Sequence, residues 1–142
     1  MAALTTDLSS VKITAFGEGY YASLPVKAAS TIYQGSAVSD SGGNGLAAAL
    51  TAAENFCGFA RHRADNSTGA AGDVWVDLII GGFIENVSIT GGNGNTDHGV
   101  AVYMSDDNTF TLTSSSNTLV GKVWSYNAAT SKFTVRFSAA AL

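Results

Sequence analysis

The stretch KFTVRFS, Lys132–Ser138, decides the class of fold. Phe133, Val135 and Phe137 alternate with Lys132, Thr134, Arg136 and Ser138. Successive side chains of an extended strand point to opposite faces, so this pattern predicts a strand with one apolar and one wet face. The same period recurs outward along the chain. TFTLT sets Phe110 and Leu112 against threonines, and VKITA sets Val11 and Ile13 against Lys12 and Thr14. DVWVDLII puts Val74, Val76, Leu78 and Ile80 on one face. Its other face, with Trp75, Asp77 and Ile79, is mixed and open to a second covering layer.

Between these runs lie SDSGGNG, STGAAGD, Gly81-Gly82 and TGGNGNTDHG, and Pro25 is the only proline. Glycine and asparagine supply the positive φ that tight turns need. Short strands at close spacing with such turns predict an all-β fold, a small antiparallel barrel or sandwich with at most one or two short helical turns. GLAAALTAAENF competes with that reading, because its alanines favour helix and Thr51 and Glu54 have capping-box spacing. The flanking Gly45 and Gly58 leave little room for a two-turn helix. Leu46–Leu50 therefore reads as strand and Thr51–Asn55 as a single helical turn. Residues 1–10 lack periodicity and carry only Leu4 and Leu8 as large apolar groups, which predicts an extended N-terminal arm. The arm and a first strand occupy residues 1–30 and the β domain residues 31–142, one domain overall.

A chain of 142 residues buries roughly 68–70% of its unfolded surface, enough for a core without staples. Charged residues are 13% of the chain, against about 25% in ordinary domains, which hints that neighbouring chains cover part of the surface. The net charge of −4 leaves no basic face for phosphates, arguing against nucleic acid and against an anionic membrane. The longest apolar run, Val74–Ile84, is short and contains Asp77, and the first twelve residues lack the pattern of a secretory leader. Folding in a cytoplasm is the expectation. The lone Cys57 excludes an internal disulfide and reads as a small buried apolar residue.

Several motifs suggest chemistry and fail on their partners. SDSGGN, from Ser39, resembles a serine-protease nucleophile box, but His62 and His98 both follow Ser41 where that arrangement needs its base and aspartate earlier. It reads as a hairpin loop. GGNGNT, from Gly91, lacks the Lys-Ser/Thr of a phosphate loop. Two histidines and one cysteine, without metal-ligand spacing, do not make a zinc site. Asp106-Asp107-Asn108 lacks the alternating ligands of a calcium loop and reads as a turn. Arg61 and Arg63 flank His62 in ARHRAD, a solvated basic cluster or an intersubunit salt-bridge site. Trp75, Trp124, Tyr20, Tyr21 and Tyr126 read as core, and would mark a binding face if exposed. No cofactor, metal or catalytic set emerges, which favours a structural or interaction protein over an enzyme.

From Ile32 to Phe137 the order of segments resembles the decoration, or cement, proteins of tailed-bacteriophage capsids. The matching pieces are the Gly35-Ser36-Ala37-Val38 strand opening, Phe56–Ala60, Asn66–Val74, Gly99–Thr113, Leu119–Val123 and the final aromatic strand Phe133–Phe137. The resemblance implies a β-rich homotrimer on the outer capsid surface, bound across joints between major capsid protein subunits and stiffening the shell against packed DNA. It implies assembly in the host cytoplasm and residence in the virion. Leu4, Leu8, Arg61 and Arg63 are the expected capsid or intersubunit contacts, with the arm laid along a neighbour. A carbohydrate-binding or tail-fibre module of a virion is the alternative, and a hydrolase the third class.

Overall fold

A computed structural model describes residues 3–41, 44–51 and 54–139. Among them the strands are β1 (Lys12–Ala15), β2 (Tyr21–Pro25), β3 (Ser30–Ile32), β4 (Ala37–Ser39), β5 (Ala48–Ala49), β6 (Phe56–Ala60) and β7 (Ala64–Asn66). The second half supplies β8 (Trp75–Ile79), β9 (Gly81–Val87), β10 (Ile89–Thr90), β11 (Ala101–Met104), β12 (Phe110–Thr111), β13 (Thr118–Asn127) and β14 (Lys132–Ser138). Half of the chain is strand and 5% helical, the latter in the single turns Glu18–Tyr20 and Gly94–Asp97. The sheets do not close into a barrel, so of the two expected architectures the chain adopts the sandwich.

Three layers stack. The first is a seven-stranded sheet in the order β1-β9-β14-β13-β11-β12-β10. The second is a five-stranded sheet, β2-β8-β6-β4-β5, and the third the two-stranded ribbon β3-β7. Among the described residues the strands pair antiparallel except β10 with β12, and the isolated bridge of Val26 to Ala47 is also parallel. Alternation explains the layering. Phe133, Val135 and Phe137 of β14 meet Phe56 and Phe59 of β6 in the main core. From the opposite face of the five-stranded sheet, Val76 and Leu78 of β8 join Ile32 and Ala64 of the ribbon in a second core. Val74 and Ile80 pack against that second core, completing the stripe read from DVWVDLII.

Phe137 is the pivot of the main core. Its ring is fully buried, 4.7 Å from Phe59 and 6.2 Å from Phe56, both nearly perpendicular to it. Its cross-strand neighbours are Gly82 on β9 and Gly121 on β13. A Cβ at either glycine would sit 2.0 Å from a backbone oxygen of the adjoining strand, Thr14 or Arg136. Only glycine permits that approach of backbone to backbone.

The short elements depart from expectation in places. Residues 12–30 hold two strands and the start of a third, where one strand was expected. Leu46–Leu50 contributes only the two-residue β5, with Ala47 bridging Val26. The turn expected at Thr51–Asn55 lies partly outside the described residues, at 52 and 53. The Glu54 carboxylate does accept the Thr51 N–H at 3.0 Å and its hydroxyl at 2.7 Å. Burial raises the pKa of Glu54, and the hydrogen bonds from Thr51 and Ser39 outweigh it, leaving the carboxyl below its usual range. The loop expected from Ser39 lies partly outside the described residues, at 42 and 43; Ser39 closes β4, which pairs with β5, and Ser41 takes φ +53°.

Candidate functional site

The outer face of the seven-stranded sheet, away from the core, carries the most developed surface feature. Residues paired in an antiparallel sheet share a face, and five strands align one transverse row in register. The row is Thr14 on β1, Phe83 on β9, Arg136 on β14, Lys122 on β13 and Ala101 on β11. Beside it β13 shifts register between Val123 and Ser125. The residue inserted there is Trp124. A bulge of this kind re-aims a side chain, and Trp124 is 51% exposed. Leu119, two pairs along the same strand, is 56% exposed.

Rings connect across this face edge to face. Tyr20 meets Phe16 at 5.1 Å, Phe16 meets Phe83 at 5.4 Å, and Phe83 meets Trp124 at 5.6 Å. His98 completes the chain 5.7 Å from Trp124. Its Nδ1 lies 2.7 Å from the Trp124 carbonyl, which can only accept, so Nδ1 carries the proton. The Arg136 guanidinium lies 4.7 Å from the Phe16 ring centre, a cation–π contact that fixes its direction. His98, Leu119, Lys122, Trp124, Arg136 and Ala139 line a shallow groove of about 670 Å³.

A second exposed patch lies on β2 and β8, where Trp75 is 57% exposed and the Arg61 guanidinium stacks 4.3 Å from the Tyr21 ring centre. Trp75, Trp124 and Tyr21, expected in the core, are thus surface groups. Here Ser23 donates to Asp77 at 2.6 Å, and His62 Nε2 lies 3.5 Å from the same carboxylate. The order is wrong for activating a nucleophile, because the carboxylate rather than the imidazole takes the serine proton. His62 is also saturated: Nδ1 faces the Arg63 carbonyl at 2.9 Å and Nε2 accepts the Asp77 N–H at 3.1 Å. The serine hydrogen bond, aided by the nearby His62 and Arg61, holds the Asp77 carboxyl below its usual range.

The N-terminal arm lies along its own domain. Leu8 N–H donates to Gln34 O at 2.9 Å, and Gln34 N–H donates to the Asp7 carboxylate at 3.0 Å. Arg63 pairs with the same carboxylate at 3.3 Å and lies 4.9 Å from the Tyr33 ring centre. Leu8 sits over Gly35, where φ is +85° and a Cβ would stand 2.9 Å from that of Leu8. Leu4 N–H donates to Asp107 Oδ1 at 3.0 Å. Of the four expected contact residues, Leu4, Leu8 and Arg63 take part in holding the arm to its own domain, through Asp107, Gln34 and Asp7 in turn, while Arg61 stands apart on Tyr21.

Asp106-Asp107-Asn108 is the turn between β11 and β12, closed by Asn108 N–H donating to Asp106 Oδ1 at 2.9 Å. Asp107 does more than turn the chain. It is 3% exposed and accepts both the Leu4 N–H and the Ser36 hydroxyl, the latter at 2.9 Å. Burial pushes its pKa up against those two hydrogen bonds. Cys57, half-buried beside the second core, is raised to about 11 by burial and then by the charge of Asp40, so it is a poor nucleophile. No group of three or more metal-ligating side chains occurs among the described residues.

No protein-family model matches the chain, and neither a curated protein nor a solved structure matches it. Period-two alternation alone does not reveal the outer-face row, which depends on strand register. The signal was present in the wet face of KFTVRFS, which contains Arg136, and in KVWS, where Trp124 follows Val123 and interrupts the alternation.

Proposed function

We propose that this chain is a capsid decoration protein of a tailed bacteriophage, seated on the outer surface of the shell and docking through the outer face of its seven-stranded sheet. The observation that carries the reading is the apolar, ring-lined character of that face. Trp124 and Leu119 stay more than half exposed on a sandwich whose other large apolar side chains mostly pack into two cores. Exposed aromatic groups of this kind are the usual anchors of protein interfaces. The order of segments from Ile32 to Phe137, which resembles that of such proteins, supports the major capsid protein as the proposed partner.

The mechanism is multivalent clamping. Each copy makes a modest contact, and several copies joined as a homotrimer tie neighbouring capsid subunits together. Linked contacts exceed single ones by roughly 10²–10⁴ in affinity, so opening the shell requires several to break at once. The test is co-sedimentation with undecorated shells of the major capsid protein encoded in the same genome, followed by heating. Saturable binding and a higher shell-disruption temperature are expected; a chain that stays in the supernatant overturns the proposal.

The exposed Trp75 and Trp124 favour a second reading, a carbohydrate-binding module of a virion. Against it, the rings around Trp124 pack edge to face, with interplanar angles of 62° and 90° along Trp124–Phe83–Phe16, and offer no coplanar platform for successive sugars. A glycan array with specific hits lost in Trp124→Ala would reverse this order of preference.

A further inference from the structure

We propose that the row on the seven-stranded sheet receives an extended acidic segment of the partner, with a carboxylate seated between Lys122 and Arg136. The inference rests on the docking reading for this face and adds the chemistry of what docks there. Lys122 and Arg136 are directly opposed across β13 and β14. Like charges at such positions repel, so the pair is a cost to the free chain. The chain has only seven lysines and arginines against eleven acidic residues. Two of its other cations are ion-paired, Lys12 with Glu85 at 4.0 Å and Arg63 with Asp7 at 3.3 Å, Lys132 donates to Ser88 at 2.7 Å and Arg61 stacks on Tyr21, while Lys27, which faces no second cation across a strand pair, is exposed. Among the described residues, neither Lys122 nor Arg136 has an ion-paired carboxylate.

The surroundings tell what kind of anion fits. Leu119, Trp124 and Ala139 flank the two cations, so an occupant excludes water and strengthens the attraction. The Phe16 ring orients the planar guanidinium of Arg136, which suits it to a carboxylate. The occupant is a peptide rather than a nucleic acid, because two cations on a chain of net charge −4 cannot track a phosphate backbone. A segment alternating acidic and apolar residues satisfies both the cations and the rings.

The experiment is a ¹⁵N–¹H titration of the full chain with a capped peptide alternating Glu and Leu, and with its Gln–Leu counterpart. A dT oligonucleotide serves as competitor. Shifts at Phe83, Lys122, Trp124 and Arg136 are expected, with the Glu peptide about tenfold tighter and the advantage shrinking in high salt. The double variant Lys122→Gln/Arg136→Gln should bind both peptides alike, and its unperturbed spectrum elsewhere checks that it folds. Equal binding of the two peptides by the wild type, no shifts from either, shifts centred on Trp75, or stronger binding of the oligonucleotide each overturn the proposal. Shell binding that survives in the double variant overturns it while leaving decoration standing. Acidic-peptide binding without shell binding does the reverse.

Discussion

Phe137→Ala should be among the most damaging single changes in this chain. The ring is fully buried and touches Phe59 and Phe56 edge to face. Removing a buried phenylalanine ring costs about 3–5 kcal/mol, and the spread depends on whether the surroundings collapse into the void. Here they cannot. Gly82 and Gly121 on either side have no side chain to move, and their strands already stand at closest approach. The two aromatic pairs lost are worth about 0.5–1.5 kcal/mol each, partly contained in the same figure. The upper end, about 4–5 kcal/mol, is therefore expected, a large share of the roughly 5–15 kcal/mol that holds a domain together. At about 3–4 °C per kcal/mol for a chain of this size, the melting temperature falls by about 12–20 °C. Guanidinium unfolding followed by circular dichroism and by tryptophan emission measures the loss, and Phe137→Leu should recover more than half of it. A loss below about 1.5 kcal/mol, or two separate transitions in the wild type, would refute a main core that is organised around this ring and unfolds together with the rest of the domain.

Asp107→Asn should gain stability relative to wild type as the pH rises above the ordinary carboxyl value of 3.8. A carboxyl raised by burial contributes most when protonated, below its ordinary value of 3.8, and that contribution is lost as pH climbs through the higher folded-state value. A pH-independent difference in unfolding free energy between the two proteins would contradict this. Gly35→Ala should cost about 1–3 kcal/mol, because it forces a side chain onto a left-handed backbone and into Leu8. It should also free the arm, seen as faster amide exchange at Leu8; unchanged exchange would mean the strap is held elsewhere. Cys57, raised from 9.0 to about 11, should react with iodoacetamide at about a hundredth of the unfolded rate near pH 8. Comparable rates in native and unfolded chains would disprove its shielding.

The alternation in KFTVRFS, DVWVDLII and VKITA was enough to read the strands and their buried faces, because a period of two survives whatever the partner strand is. Pairing order was not legible. It depends on contacts far apart in sequence, such as β1 with β9 and β2 with β8. The third layer escaped for the same reason, since β3 and β7 have three residues each and no long period to betray them. Arg61 and Arg63 stood out in the sequence as a charge cluster, yet each is engaged within the chain, by Tyr21 and by Asp7. Lys122 and Arg136 did not stand out, because fourteen positions separate them and only the register of β13 on β14 makes them neighbours. Asp107 read as a turn residue, and so it is, but its burial follows from the arm folding over it, a contact spanning 103 positions.

Under the proposed function, this chain binds a phage shell with the outer face of its large sheet. Hydroxyl-radical footprinting of the chain, free and bound to undecorated shells, tests both parts at once. Trp124 and Leu119 should be oxidised readily in the free protein and protected on the shell, while Trp75 changes little. Absence of binding, or binding that leaves Trp124 and Leu119 as reactive as before, would contradict it.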